Sequence, residues 1–206
     1  MMHELDLLKK NWNKTNSFEQ ISESDIYKML LKKSSSIVKW ILLISIIELL
    51  FWTSSSLFFK TDDAFKKLHI LNLEKYVIVS NIIHYLIVVG FIISFYKNYK
   101  KISVVTSTKN LMNSILKTRK TVQYYIWYNL GMIALSFIFG IILVFNINPE
   151  ISKLNQSPNF KYGFIAGFVI IALIFVGFFW LLYRLIYGRL LKKLTRNYEE
   201  LKKIDL

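Results

Sequence analysis

One carboxylate and one imidazole interrupt otherwise apolar stretches of this sequence: Glu48 in IVKWILLISIIELLFWTSSSLFF and His84 in YVIVSNIIHYLIVVGFIISFY. A glutamate next to a histidine can pass a proton or hold an ion, so the pair points to a proton relay, an ion site or a carboxylate-assisted active site. The same two residues can also form a hydrogen bond that fixes how two helices pack. From the sequence we favour the packing role, because a proton pathway normally needs a longer chain of such groups.

The two residues reach similar depths if their helices run antiparallel. At a rise of about 1.5 Å per residue, Glu48 lies about 16 Å from the residue-37 end of its apolar segment. His84 lies about 20 Å from the residue-96 end of the other segment. Asn81 is one helical turn from His84 and on the same face. We therefore predict that Glu48, His84 and Asn81 form an intramembrane polar cluster.

Other common chemistries are excluded by composition. The chain has no cysteine, which excludes disulfides, iron–sulfur clusters, thiol nucleophiles and cysteine-based zinc sites. Its three histidines, His3, His69 and His84, fall in different segments, so no metal centre or cofactor is predicted. No GxSxG, phosphate-binding glycine loop or HExxH motif is present. We assign no catalytic residue and expect a protein that is not an enzyme.

The elements that carry these residues are predicted from hydropathy. The chain is 54% apolar and only 19% charged, against about 25% charged in a soluble domain. Four segments each supply the roughly 20 apolar residues that cross about 30 Å of hydrocarbon. They cover about 37–59, 76–96, 122–145 and 163–187. The sequence thus predicts an all-α integral membrane four-helix bundle, with Tyr183 and Tyr187 among the aromatic residues at its interfaces.

The positive charges predict the orientation. Nineteen lysines and arginines lie in 1–35, 97–121 and 188–206, against six in 60–75 and 146–162. Loops rich in lysine and arginine stay in the cytoplasm, so we expect both termini and the 97–121 loop there, in a multi-pass inner-membrane protein. This placement accounts for the net charge of +14 without nucleic acid, and it leaves the lipid bilayer as the expected partner.

The cytoplasmic segments (1–35, 97–121 and 188–206) carry apolar residues at helical spacing. Ser22, three residues before Asp25, resembles a capping box, and the helix it starts is predicted to run into the first span. In the tail, apolar residues follow a short heptad seam that begins at Tyr187. Such stripes need a surface to cover them. The candidates for contacting a cytoplasmic protein are Leu5, Leu8, Trp12, Ile26, Leu30, Leu191, Leu194, Tyr198 and Leu201.

Small residues mark two places where helices are expected to approach closely. Gly163 and Gly167 form a GxxxG pattern in the fourth span, and Ser136 and Gly140 have the same spacing in the third. Residues of this size let helix backbones come together in a membrane. We expect them to pack helices within one chain, and a homo-oligomer is the alternative.

Three stretches together resemble a known group of proteins: LLKKNWNK with KKSSSIVKWILLISIIELLFW, SVVTSTKNLMNSILKTRKTVQYYIWYNLG, and YRLIYGRLLKKLTRNYEELKK. They are similar to uncharacterised four-span membrane proteins of flavobacteria and their relatives. Members are often encoded beside a sigma factor of the extracytoplasmic-function type, which implies a membrane-tethered regulatory partner. Some carry a carotenoid-monooxygenase label, but such an enzyme needs a cluster of histidines to hold its iron, and only His84 is intramembrane.

Three functions follow as expectations. The first is a regulatory or interaction protein whose cytoplasmic helices bind a partner, with a sigma factor as the candidate. The second is a small transporter or membrane enzyme centred on Glu48 and His84, which requires that the pair line a water-accessible cavity. The third is a structural subunit of a larger membrane complex.

Overall fold

The chain forms four long helices in a computed structural model that describes residues 22–58, 73–147 and 158–204. The helices are α1 (Glu23–Phe58), α2 (Glu74–Ser103), α3 (Thr108–Ile147) and α4 (Pro158–Ile204). Within those ranges there is no β-strand, so the all-α prediction is confirmed. Leu5, Leu8 and Trp12 lie outside the described residues.

Local sequence explains where two of the helices start. The backbone N–H of Asp25 donates to Oγ of Ser22 at 3.2 Å, and that hydroxyl donates to Oδ2 of Asp25 at 2.7 Å. The first of these bonds pairs one backbone N–H of the first turn of α1 with the Ser22 side chain, as the capping pattern predicts. Helix α4 starts at Pro158, whose fixed backbone angle suits a first helical position.

All four helices are long and apolar enough to cross a membrane, which agrees with the four predicted spans. With 40 and 47 residues, α3 and α4 are about 60 and 70 Å long. A bilayer core is only about 30 Å thick. Both helices therefore continue well past any bilayer they cross, and they do so without a break.

The helices form an antiparallel bundle. Each packs against its neighbours in sequence, α4 returns to pack against α1, and α1 also contacts α3 across the centre. At one end, the Tyr27 hydroxyl on α1 donates to the carbonyl of Val105 at 2.9 Å. Nearby, the amide of Asn197 on α4 donates to Oγ of Ser34 at 3.0 Å. The start of α1 therefore lies beside the ends of α2 and α4.

Packing is uneven along the bundle. We call residues 22–36, 97–121 and 188–204 the basic end, because they hold most of the described lysines and arginines. Buried side chains lie in the basic end and the adjoining part of the membrane segment. The rest of the bundle comprises residues 46–58 of α1, 74–87 of α2, 131–147 of α3 and 158–182 of α4. No side chain there whose burial is described is fully buried. We call this second region the open half.

The apolar stripes of the basic end pack against one another. Leu30, Leu194 and Leu201 are fully buried, and Ile26, Leu191 and Tyr198 pack against the same core. All six are predicted from the sequence to contact a partner, but the three leucines lie in the interior of the bundle and the other three are partly buried against it. The reason is that the four helices extend past the membrane side by side, so their stripes face each other.

The glycine pair of α4 makes no close helix contact. A side-chain carbon placed on Gly163 or Gly167 would have no atom within 4 Å, whereas one on Gly140 would lie 3.6 Å from Cζ of Phe168. Among the described residues, no close contact therefore supports the prediction that Gly163 and Gly167 pack helices within the chain. Phenylalanine rings line the space between α3 and α4 here, with Phe137 and Phe168 centroids 5.9 Å apart. Ser136 is exposed, and its hydroxyl donates to the carbonyl of Ile133.

Candidate functional site

The carboxylate of Glu48 accepts hydrogen bonds from three tyrosines on two other helices. Tyr125 of α3 donates to Oε2 at 2.8 Å and Tyr187 of α4 to the same oxygen at 3.2 Å. Tyr183 of α4 donates to Oε1. The three tyrosines are 1%, 1% and 6% exposed, in that order. We call Glu48, Tyr125, Tyr183 and Tyr187 the Glu48 cluster.

The donor set suits an ionised glutamate. A carboxylate only accepts hydrogen bonds and offers about four lone-pair positions on its two oxygens, and three of them are used here. Hydrogen bonds to a charged acceptor are about twice as strong as neutral ones. The Glu48 cluster therefore replaces much of the hydration that a carboxylate loses inside a membrane, and it does so with groups held in place by helices.

The surrounding rings hold the phenols in position. Tyr183 and Tyr187 are four residues apart, so they share one face of α4. The ring of Tyr125 packs edge-on against Tyr187 at 5.9 Å and against Phe91 and Phe95 of α2 at 5.5 and 5.6 Å. Helix α2 thus supports the cluster by packing, while α1, α3 and α4 supply its polar atoms.

His84 lies next to this cluster but has a partner of its own. Its ring stacks on Tyr128 of α3 with centroids 5.6 Å apart, and its Nδ1 is 3.0 Å from the Tyr128 hydroxyl. Which of the two atoms donates depends on the tautomer of the imidazole. Glu48 and His84, expected to pair, instead hydrogen-bond to different tyrosines. They do line the same cavity, of about 50 Å³.

A larger cavity adjoins the first in the open half. It measures about 430 Å³ and has walls from all four helices. Trp52, His84 and Asn129 line both cavities. Asn81, the third residue of the predicted polar cluster, lines only the larger one, as does Ser136. Polar side chains thus extend from Glu48 further along the open half, and the small cavity has room for water.

The tyrosines of the Glu48 cluster are the part of the site that sequence reasoning missed. Tyr183 and Tyr187 had been interpreted as interface aromatics, and Tyr125 had no assigned role. One signal was available, because the heptad seam of the tail starts at Tyr187 and predicts that this residue faces the bundle interior.

Metal-ligating side chains do not gather at this site. Across the described ranges, no three histidine, aspartate or glutamate side chains come close enough together to hold a metal ion. The polar groups described at the site include the Glu48 carboxylate, the phenols of its three tyrosine donors and of Tyr128, the His84 imidazole, and the amides of Asn81 and Asn129.

Four helices long and apolar enough to span a membrane, packed around a partly buried glutamate, are typical of a multi-pass α-helical membrane protein. Residues 24–206 match the model of a family described as Domain of unknown function (DUF8845), and the chain belongs to that family. No curated protein and no solved structure matches the chain. The likeness to flavobacterial proteins encoded beside sigma factors stays a prediction.

Proposed function

We propose that this chain is a regulatory protein of the cytoplasmic membrane whose basic end binds a protein partner. The Glu48 cluster sets how the helices pack and thereby the shape of the surface that the basic end offers to that partner. One observation carries the proposal. The Glu48 carboxylate ties α1 to α3 and α4, and these three helices run on without a break into the basic end. A change in the hydrogen bonds of Glu48 can therefore alter the surface at the other end of the same rigid elements.

The proposal places the basic end in the cytoplasm. The excess of lysine and arginine in 1–35, 97–121 and 188–206 supports this orientation. Segment 97–121 contributes seven basic residues and no acid. A cytoplasmic partner would thus meet a surface that is strongly positive, and long-range attraction would speed the association of a partner whose contact surface is acidic.

The surface left for a partner differs from the one that the apolar stripes indicated. Since Leu30, Leu194 and Leu201 are buried in the bundle, contacts must come from the exposed faces of the basic end and from residues 1–21, which include Leu5, Leu8 and Trp12. A sigma factor of the extracytoplasmic-function type is the partner class that the sequence resemblance suggests.

Capture of such a sigma factor by the full-length protein in mild detergent tests this function. We expect the wild type to retain it and a truncation lacking residues 1–21 to lose it. A truncation of 1–35 is unsuitable because it would remove Leu30 and Ser34 from the bundle interior. If the full-length protein captures no soluble partner, the regulatory proposal is wrong.

The role of the Glu48 cluster is tested separately with Glu48→Gln. A carboxamide has one acceptor oxygen and two N–H donors where three phenols need acceptors, so the helices should repack and partner capture should change by at least about threefold. Tyr124→Phe is the matched control, because Tyr124 is adjacent to Tyr125 in sequence but 67% exposed. Equal capture by the wild type, Glu48→Gln and Tyr124→Phe would show that the Glu48 cluster does not influence partner binding.

The shared cavity favours a second candidate, a small transporter or a membrane enzyme. Glu48 and His84 line one space that adjoins the larger cavity of the open half. Uptake of protons or small cations into liposomes containing the protein tests transport, with Glu48→Gln and His84→Phe as variants. Wild-type flux no greater than that of empty liposomes would exclude transport by this site.

A further inference from the structure

A groove between α1 and α4 gathers positive charge at the basic end. It has a volume of about 640 Å³, and its walls include Lys32 and Lys33 from α1 and Lys193 and Arg196 from α4. The two pairs are about 160 residues apart in sequence, so the fold brings them together.

The charge of this groove is poorly balanced. Among the described residues its one acidic wall residue is Glu200, and Oε1 of that residue is 3.0 Å from Nε of Arg196. Side chains of like charge around one recess repel each other, and a bound anion would offset that repulsion. Arginine and lysine both bind phosphate oxygens well, arginine through two parallel hydrogen bonds.

The groove lies where a bilayer would have its headgroups. On α1, Trp40 is 55% exposed and starts the apolar surface one turn beyond Ser36 of the groove. On α4, Ile186 is 42% exposed and precedes Lys193 by about 10 Å. The headgroup region of each leaflet is roughly 5–8 Å thick, and lysine stems reach several ångströms towards it.

Two further features favour a lipid over a soluble anion. Met29, which is exposed, and Ile37 give the groove an apolar wall. On the other side of α1, a recess of about 440 Å³ has Lys28, Lys32 and Lys39 in its wall and no acidic side chain among its described residues. Lys32 lines both spaces, so α1 is flanked by positive charge where it leaves the apolar surface.

Topology alone does not explain this convergence. The positive-inside rule counts lysines and arginines in a loop and does not require them to line one groove. Lys101, Lys109 and Lys117 of the basic end are exposed and lie outside the walls of both spaces. These three lysines provide a control set with the same total charge as three basic residues of the groove, at positions outside it.

We infer that the groove between α1 and α4 binds the phosphate headgroup of an anionic phospholipid, held by Lys32, Lys193 and Arg196. This inference is independent of the Glu48 cluster and of any protein partner.

Native mass spectrometry of the full-length protein tests the site, with phosphatidylglycerol and phosphatidylcholine offered in equal amounts. We expect phosphatidylglycerol to be retained preferentially. Each basic residue near an anionic surface is worth about fivefold in affinity, so Lys32→Gln/Lys193→Gln/Arg196→Gln should weaken retention about a hundredfold. The control Lys101→Gln/Lys109→Gln/Lys117→Gln should change it less than about threefold. Glu200→Gln should strengthen retention, because it frees Arg196.

Several outcomes would overturn the inference. Equal losses in the groove and control variants would mean that diffuse surface charge binds the lipid. Equal retention of the two lipids would mean that the groove does not select an anionic headgroup. Stabilisation by inorganic phosphate without lipid retention would point to a soluble phosphate. If the wild type retains no lipid but binds polyglutamate, and the groove variant does not bind it, the ligand of the groove would be an acidic protein. The melting temperatures of all variants check that each is folded.

Discussion

At the scale of single residues, the central feature is a glutamate in a membrane-spanning helix with three phenol donors. An unpartnered carboxylate at such a depth costs several kcal/mol or more. Tyr125, Tyr183 and Tyr187 offset much of that cost by hydrogen bonds to Glu48. The same bonds make Glu48 a link between helices, so its chemistry and the packing of the bundle cannot be changed independently.

Removing one donor should therefore destabilise the protein. We expect Tyr125→Phe to lower the free energy of unfolding by about 1–2 kcal/mol, because it deletes a hydrogen bond to the carboxylate and keeps the ring. Tyr124→Phe removes a hydroxyl from a neighbouring, exposed ring and should leave stability unchanged. Thermal unfolding of both variants in the same detergent provides the measurement. Equal melting temperatures would show that the Tyr125 hydroxyl contributes nothing.

At the scale of helices, the bundle is closely packed at the basic end and loosely packed in the open half. The buried contact between Asn197 and Ser34 joins α4 to α1 in the first region. In the second, cavities and phenylalanine rings separate the helices. Helix pairs are thus held together at one end and are freer to move apart at the other, which suits elements that change their packing.

The link between α1 and α4 can be measured with a double-mutant cycle. Asn197→Ala and Ser34→Ala should each destabilise the protein, and the pair together should cost less than the sum of the two. We expect a coupling energy of about 0.5–1.5 kcal/mol from unfolding measurements. Strict additivity would mean that the two side chains do not depend on each other.

Two glycines of the open half should differ in how strongly a larger side chain affects stability. Gly167→Leu extends into open space and should alter stability by less than about 0.5 kcal/mol. Gly140→Leu meets Phe168 and should cost about 1–3 kcal/mol through overpacking. Melting temperatures and chemical cross-linking would be measured for both. Loss of a cross-linked dimer in Gly167→Leu would show that a second copy of the chain covers this face.

At the scale of the whole molecule, the charge distribution predicts the orientation in which the bundle inserts. The basic end is expected in the cytoplasm, and the natural absence of cysteine makes this simple to test. A membrane-impermeant maleimide should label Lys66→Cys in spheroplasts and Lys109→Cys only after the cells are opened. The reverse labelling pattern would show that the bundle inserts the other way round.

The sequence by itself determined the four spans and their all-α character. A bilayer allows only segments that satisfy their own backbone hydrogen bonds and bury about 20 apolar residues, and both properties belong to a single stretch of chain. The same holds for the start of α1, since Ser22 and Asp25 are three residues apart. Glu48 and His84 could also be identified as unusual because their neighbours in sequence are apolar.

Only the tertiary structure decided what these residues contact. The spans are apolar on nearly all sides, so the sequence does not show which face of a helix turns inward. Whether Glu48 meets His84 or the tyrosines depends on how α1, α3 and α4 rotate and slide against each other. Leu30 and Leu194 could likewise be identified from the sequence as residues of apolar stripes. The packing of helices far apart in sequence decided that their own bundle covers them and not another protein.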